Sequence, residues 1–130
     1  MPQRKKRQLA VLQLRIIQVL WDRGEATVSE VREALAGERP LAYTTVATML
    51  SKMEQNGQVA HRSVGRVNVY RPLLAREEVS RSMVRDLAAR LFDGDVAQMV
   101  SHLLDDDVTR EELESLKALI RRKEREARDA

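Results

Sequence analysis

The 130-residue sequence predicts a mainly α-helical chain with a small β-hairpin, divided into two parts of different charge. Three observations predict this. Apolar residues return at three- and four-residue intervals over most of the chain, which places them on single helix faces. After Gly57 that period gives way to two short β-rich runs, QVAHRSV and VNVYR, which meet at Gly65-Arg66 and stop at Pro72. Residues 1–72 carry 12 Lys/Arg against 6 Asp/Glu, whereas residues 73–130 carry 11 against 14. Such a split suits a polyanion-binding module joined to an assembly module, although a basic half serves solubility equally well.

Composition narrows the class further. With 43% hydrophobic but only 3% aromatic residues, the core has to be aliphatic. The length is that of one domain, or of a domain with an appendage. There is no cysteine, which excludes disulfides, thiol redox sensing and thiolate metal sites. No apolar run has the length of a signal peptide or a membrane span, so the expected location is the cytoplasm.

Residues 1–8 contain Arg4, Lys5, Lys6 and Arg7 with no apolar partner. They read as a basic arm laid along phosphates or as a solubilising tail. From Leu9 to Asp22, Leu9, Leu12, Ile16, Ile17, Val19, Leu20 and Trp21 form a broad helical stripe that ends at Arg23-Gly24. Trp21 lies at the end of that stripe and reads as packing. Thr27 and Glu30 have the spacing of a capping box, which opens a short helix with Val28, Val31 and Leu35 inward and Gly37 as its stop. Pro40 then forbids continuation.

Residues 42–57 form the next amphipathic helix, with Val46, Met49, Leu50 and Met53 on one face and Thr44, Thr45, Thr48, Ser51, Lys52 and Gln55 on the other. Threonine costs about half a kcal/mol against alanine in a helix, so three in the first two turns suggest selection for something besides helicity. Small hydroxyl side chains let a helix approach a duplex closely, donate to phosphates and meet base edges. In the other reading, Thr44 or Thr45 caps the helix and Thr48 is a solvated surface residue. Two short helices joined by such a turn have helix-turn-helix geometry, the second entering the major groove. In the hairpin, Val59, Val67 and Val69 are the expected packed face, with Tyr70 half-buried and Arg66 at the tip beside phosphate or the minor groove.

TTVATMLSKMEQNG followed by GRVNVYRP resembles the winged helix-turn-helix of the penicillinase-repressor (BlaI/MecI) family of bacterial repressors. IIQVLWDRGEATVSEV resembles that family's first helix and turn, and the similarity extends to the whole chain length. The resemblance implies a DNA-binding domain at residues 9–74, a helical dimerisation domain at 75–130, and an operator with inverted half-sites.

Beyond Pro72 three further helices are expected. The first carries Val79, Met83, Leu87 and Leu91; the second carries Val96, Met99, Val100, Leu103 and Leu104. A capping box at Thr109 and Glu112 opens the third, with Leu113, Leu116, Leu119 and Ile120 inward and 121–128 as helix end and tail. Three short helices cannot bury these stripes alone, so a second copy of the chain is the expected partner. Asp105-Asp106-Asp107 lacks the spacing and turn glycine of a calcium loop and reads as a linker. His61 and His102 are too isolated for a metal site.

No activated nucleophile, acid–base pair or phosphate-cradling glycine loop is visible, so neither an enzyme nor a cofactor is expected. The expected function is a homodimeric, sequence-specific DNA-binding repressor. The alternatives are a small-molecule-responsive winged-helix regulator and a winged helix used for protein contact. In the beta-lactam branch of the family a sensor-linked protease cuts an Asn–Phe bond, and the position that resembles it here is His102–Leu103. An imidazole and an aliphatic fit a pocket shaped for a small amide and an aromatic poorly, so release by another route is expected. The copper-responsive branch carries C-terminal cysteines that this chain lacks.

Overall fold

The computed structural model describes residues 9–130; the basic cluster at 4–7 lies outside the described residues. The chain divides into two compact units, one ending at Asp86 and one spanning Leu87–Ala130.

The first unit runs α1 (Val11–Arg23), β1 (Ala26–Thr27), α2 (Val28–Leu35), α3 (Tyr43–Gln55), β2 (Val59–Val64) and β3 (Val67–Pro72). Helix α4 (Arg76–Phe92) begins in this unit and crosses the boundary. The core is aliphatic: Ile16, Ile17 and Leu20 of α1 pack with Val31 and Leu35 of α2, Val46, Leu50 and Met53 of α3, and Val59 of β2. Each such side chain taken from water contributes about 1.5–3 kcal/mol. Trp21 packs at the edge of this cluster. Its indole N–H donates to the Leu74 carbonyl at 2.8 Å, while the Arg76 guanidinium lies 5.3 Å over the ring and pairs with Asp22 at 2.8 Å. These contacts fasten the start of α4 to the end of α1.

The capping box forms as expected. The Glu30 amide donates to Thr27 Oγ1 at 3.1 Å, and the Thr27 amide donates to Glu30 Oε1 at 2.9 Å. Gly37, expected to end α2, does not take the left-handed conformation that role requires. The helix closes on Ala36, the Arg39 amide donates to the Leu35 carbonyl at 2.9 Å, and Arg32 Nε holds the Leu41 carbonyl at 2.8 Å. Helix α3 does end on a left-handed glycine, Gly57, at φ 74°. The Gly57 amide donates to the Glu54 carbonyl at 3.0 Å and the Gln58 amide to the Met53 carbonyl at 2.9 Å, the paired bonds of a Schellman stop.

The hairpin is part of a three-stranded antiparallel sheet of order β1-β3-β2. Two-residue β1 pairs Ala26 with Tyr70 and Thr27 with Val69, so β3 is central. The expected packed face needs correction: Val59 is buried, Val69 is half-buried and Val67 is exposed, while Tyr70 is fully buried. The reason is register. Val59 pairs with Pro72 and His61 with Tyr70, so alternation puts Val59 and Tyr70 on the core face and turns Val67 and Val69 to the other, with Val64 and Val67 paired in solvent near the tip.

The second unit holds the end of α4, then α5 (Val96–Leu104) and α6 (Arg110–Asp129). Asp95 caps α5 by accepting from the Gln98 amide at 3.1 Å, and Thr109 and Glu112 form the expected box on α6. Helix α6 continues through Asp129, so residues 121–128, read as helix end and tail, are helical throughout. No helix among the described residues is long and apolar enough to cross a membrane.

Candidate nucleic-acid interface

Helix α3 is held by its apolar side. Val46, Leu50 and Met53 are wholly buried, which fixes the rotation of the helix and turns Thr44, Thr45, Thr48, Ser51 and Lys52 to solvent. The N-cap is Ala42, whose side chain cannot accept a hydrogen bond, so neither Thr44 nor Thr45 is the cap. Thr44 and Thr45 therefore stand in a first turn whose terminal amides no side chain covers, with Thr48 exposed in the next turn.

Beside this face stands the β2–β3 ribbon. Gly65 takes φ 63° at the first turn position while Arg66 keeps a negative φ, as in the two-residue turns that match strand twist. Arg66 is exposed at the tip. Arg62 of β2 pairs with Glu25 at 2.8 Å, and Ser63 Oγ donates to Asn68 Oδ1 at 3.1 Å across the strands. His61, expected as a strand surface residue, is exposed on β2 and contacts Glu54 of α3.

Helix and ribbon share an open cleft of about 290 Å3, lined by Ser51 and Tyr43 of α3, Arg66 and Asn68 of the ribbon, and Thr27 and Ser29 at the start of α2. Of the predicted site residues, Ser51 and Arg66 meet here; Thr44, Thr45, Thr48 and Lys52 are exposed but do not line the cleft. Tyr43, Ser29 and Asn68 join the site without having been read from the sequence: strand alternation puts Asn68 on the Tyr70 face of β3, next to the Arg66 turn, whereas Ser29 and Tyr43 arrive only by tertiary folding. Among the described residues Arg66 and Lys52 make no ion pair, so both charges face solvent. Near the cleft, Glu30 is held below its ordinary carboxyl range, first by the Thr27 amide and then by the Thr27 hydroxyl, with Arg23 adding a smaller attraction.

The residues expected at a dimer interface fall into two groups. Val79, at 1% exposure, belongs to the first unit's core, and half-buried Met83 packs against it. Leu87, Leu91, Val96, Leu103, Leu104, Leu113 and Ile120 are exposed, and Met99, Val100 and Leu116 are half-buried. The exposure is substantial: 66% for Leu91, 64% for Leu103 and 59% for Ile120. His102 lies on α5 with its ring 5.1 Å from that of Phe92. Among the described residues no group of three or more His, Asp or Glu converges in a way that could hold a metal.

Comparison with known proteins agrees with this geometry. The solution structure of the DNA binding domain of the repressor BlaI, a winged helix, matches with a TM-score of 0.50 at 27% identity, covering 55% of this chain and 87% of that one. The transcriptional regulator BlaI of Mycobacterium tuberculosis is 34% identical over 90 residues, 68% of this chain and 65% of that protein. The match thus spans slightly under two thirds of that relative's length. The penicillinase repressor of Bacillus licheniformis is 25% identical over 100 residues, covering 77% of this chain and 78% of that protein. The penicillinase repressor family pattern matches residues 9–122, nearly the whole sequence, and the chain belongs to the penicillinase repressor family.

Proposed function

We propose that this chain is a cytoplasmic transcriptional repressor that binds inverted-repeat operators in double-stranded DNA as a homodimer. The observation that carries the reading is the shared cleft, where Ser51 of the buried-backed helix and Arg66 of the ribbon open onto one surface beside the exposed threonines. In the proposed complex α3 enters the major groove, with Thr44, Thr45 and Thr48 at base edges and Ser51 and Lys52 toward phosphate. Arg66 reaches phosphate or the minor groove beside the helix. Arg4, Lys5, Lys6 and Arg7 add phosphate contacts that strengthen the salt dependence. The aliphatic residues left exposed on α4, α5 and α6 bind those of a second copy, and linking two half-site contacts raises affinity over either alone. The family is one of repressors, and the proposal assigns the chain no reaction.

Release is the finer part. The His102–Leu103 bond lies within α5. A cut there would divide the helix and remove part of the proposed interface, so a sensor-linked protease remains a partner to test, with release by another route as the expectation. A small-molecule-responsive version draws on an open cleft of about 470 Å3 lined by Val11, Leu12, Arg15, Leu35, Glu38, Arg39 and Leu41, which borders the turn into α3.

The test is a footprint of the purified protein across its own upstream DNA. Two protected half-sites, separated by about one helical turn or a multiple of it, are expected. Absence of protection, together with a stable complex with another protein, would assign the winged helix to protein contact.

A further inference from the structure

Glu54, in the last turn of α3, grips the ribbon at one residue. His61 Nδ1 lies 2.7 Å and 2.8 Å from the two Glu54 carboxylate oxygens, and the His61 backbone N–H donates to Oε2 at 3.2 Å. Both partner atoms are acceptors, so Nδ1 carries the proton. Behind the imidazole, Tyr70 of β3 lies in register with His61, the two rings 5.3 Å apart, and is itself buried against the helices. One carboxylate of the helix thus holds β2 through two donors, and the ring it holds is backed by β3.

The position of this grip matters. Along β2, Val59 is buried and Ala60 half-buried, while residues 61–64 are exposed, so His61 is the first residue beyond the packed base. At this level β1 still pairs with Tyr70 and Val69 and Arg62 pairs with Glu25; closer to the tip the ribbon is two-stranded and marginal alone, and the Glu54 grip is what ties it to α3. Three residues on, about 10 Å at strand rise, the ribbon reaches its turn and Arg66. A swing of about 20° at His61 would carry the tip about 3.5 Å, more than a hydrogen bond spans.

We propose that Glu54 and His61 are positioning residues for DNA recognition: their contact ties the ribbon to α3 and fixes the angle between the two, so that the threonine face and Arg66 meet one duplex together, while β1 and the Arg62–Glu25 pair hold the ribbon to the rest of the sheet. This rests on the DNA-binding reading above. Neither residue need touch DNA; each acts through the placement of Arg66.

A double-mutant cycle on the full chain tests it, with the duplex protected in the footprint as probe and random duplex as control. In the wild-type background Arg66→Ala is expected to weaken binding to the protected duplex about tenfold. In a Glu54→Ala background, where the tip is no longer placed, the same change is expected to weaken it less than about twofold. Glu54→Gln keeps an oxygen acceptor for the imidazole N–H and should restore most of the Arg66 effect, a rescue that a purely structural role would not produce. Thermal unfolding is followed alongside, and His61→Ala replaces Glu54→Ala in the cycle if the latter loses its cooperative transition. Wild-type binding with additive losses in the cycle would overturn the positioning role and leave the DNA-binding reading standing. Failure of the wild-type chain to prefer the protected duplex would overturn both.

Discussion

The two units use the same aliphatic alphabet to opposite ends. In the first, side chains from three helices and a sheet close on one another until Ile16, Ile17, Leu20, Val31, Val46, Leu50, Met53 and Val59 have no exposure. In the second, Ala88 is the one described hydrophobic residue that is buried, while Leu91, Leu103 and Ile120 stand well over half exposed. Amphipathic periodicity is equally clear in both. Periodicity therefore says which face will be covered and leaves open what covers it. The first unit supplies its own cover, and the second lacks the thickness to do so.

The sharpest way to break this comparison is a matched pair of substitutions. Leu50→Ala removes a wholly buried side chain and should cost the first unit about 2–5 kcal/mol in denaturant unfolding. Leu103→Ala should leave that transition in place and instead shift the sedimentation equilibrium toward monomer, with the second unit's melting dependent on protein concentration. Concentration-independent melting of the second unit would show that it needs no partner.

A smaller effect sharpens the boundary. Val79, wholly buried, is worth about 1.5–3 kcal/mol and half-buried Met83 adds less, so a fragment ending at residue 86 should unfold cooperatively as a monomer and be more stable than one ending at 74. Equal midpoints for the two fragments would remove α4 from the core. A fragment ending at 86 that still dimerises would move the interface into the first unit.

Smaller still is the cap of α2. Because Glu30 is held below its unfolded value, its contribution to stability is complete above the ordinary glutamate range and is lost as pH falls through the depressed value. Glu30→Gln retains an acceptor for the Thr27 amide but cannot titrate. Its stability profile should be flatter than wild type on the acidic side, and identical slopes would contradict the assignment.

Much of this was legible in advance because it is local. The stripes of α1 and α3, the boxes at Thr27 and Thr109 and the stop at Gly57 depend on neighbours within one or two turns. What was not legible depends on distant partners. Strand β1 is two residues long and exists only because Tyr70 and Val69 come to pair with it. Val79 has the same spacing as Leu87 and Leu91, and the Trp21–Leu74 bond and the Arg76–Asp22 pair, which fasten the start of α4 to α1, help place it in the first core. The threonine face could be found from composition. The cleft that adds Ser29, Tyr43 and Asn68 required three elements to be placed together.

The central claim, that the exposed threonines read sequence while the cations hold backbone, is tested by competition binding across a salt series. Binding of operator and random duplex is compared for the wild type, Thr48→Ala and a chain lacking residues 4–7. The account predicts that Thr48→Ala narrows the operator-to-random ratio at every salt, whereas removing residues 4–7 weakens both duplexes together and flattens the salt slope. Thr48→Ala binding both duplexes as the wild type does would contradict it.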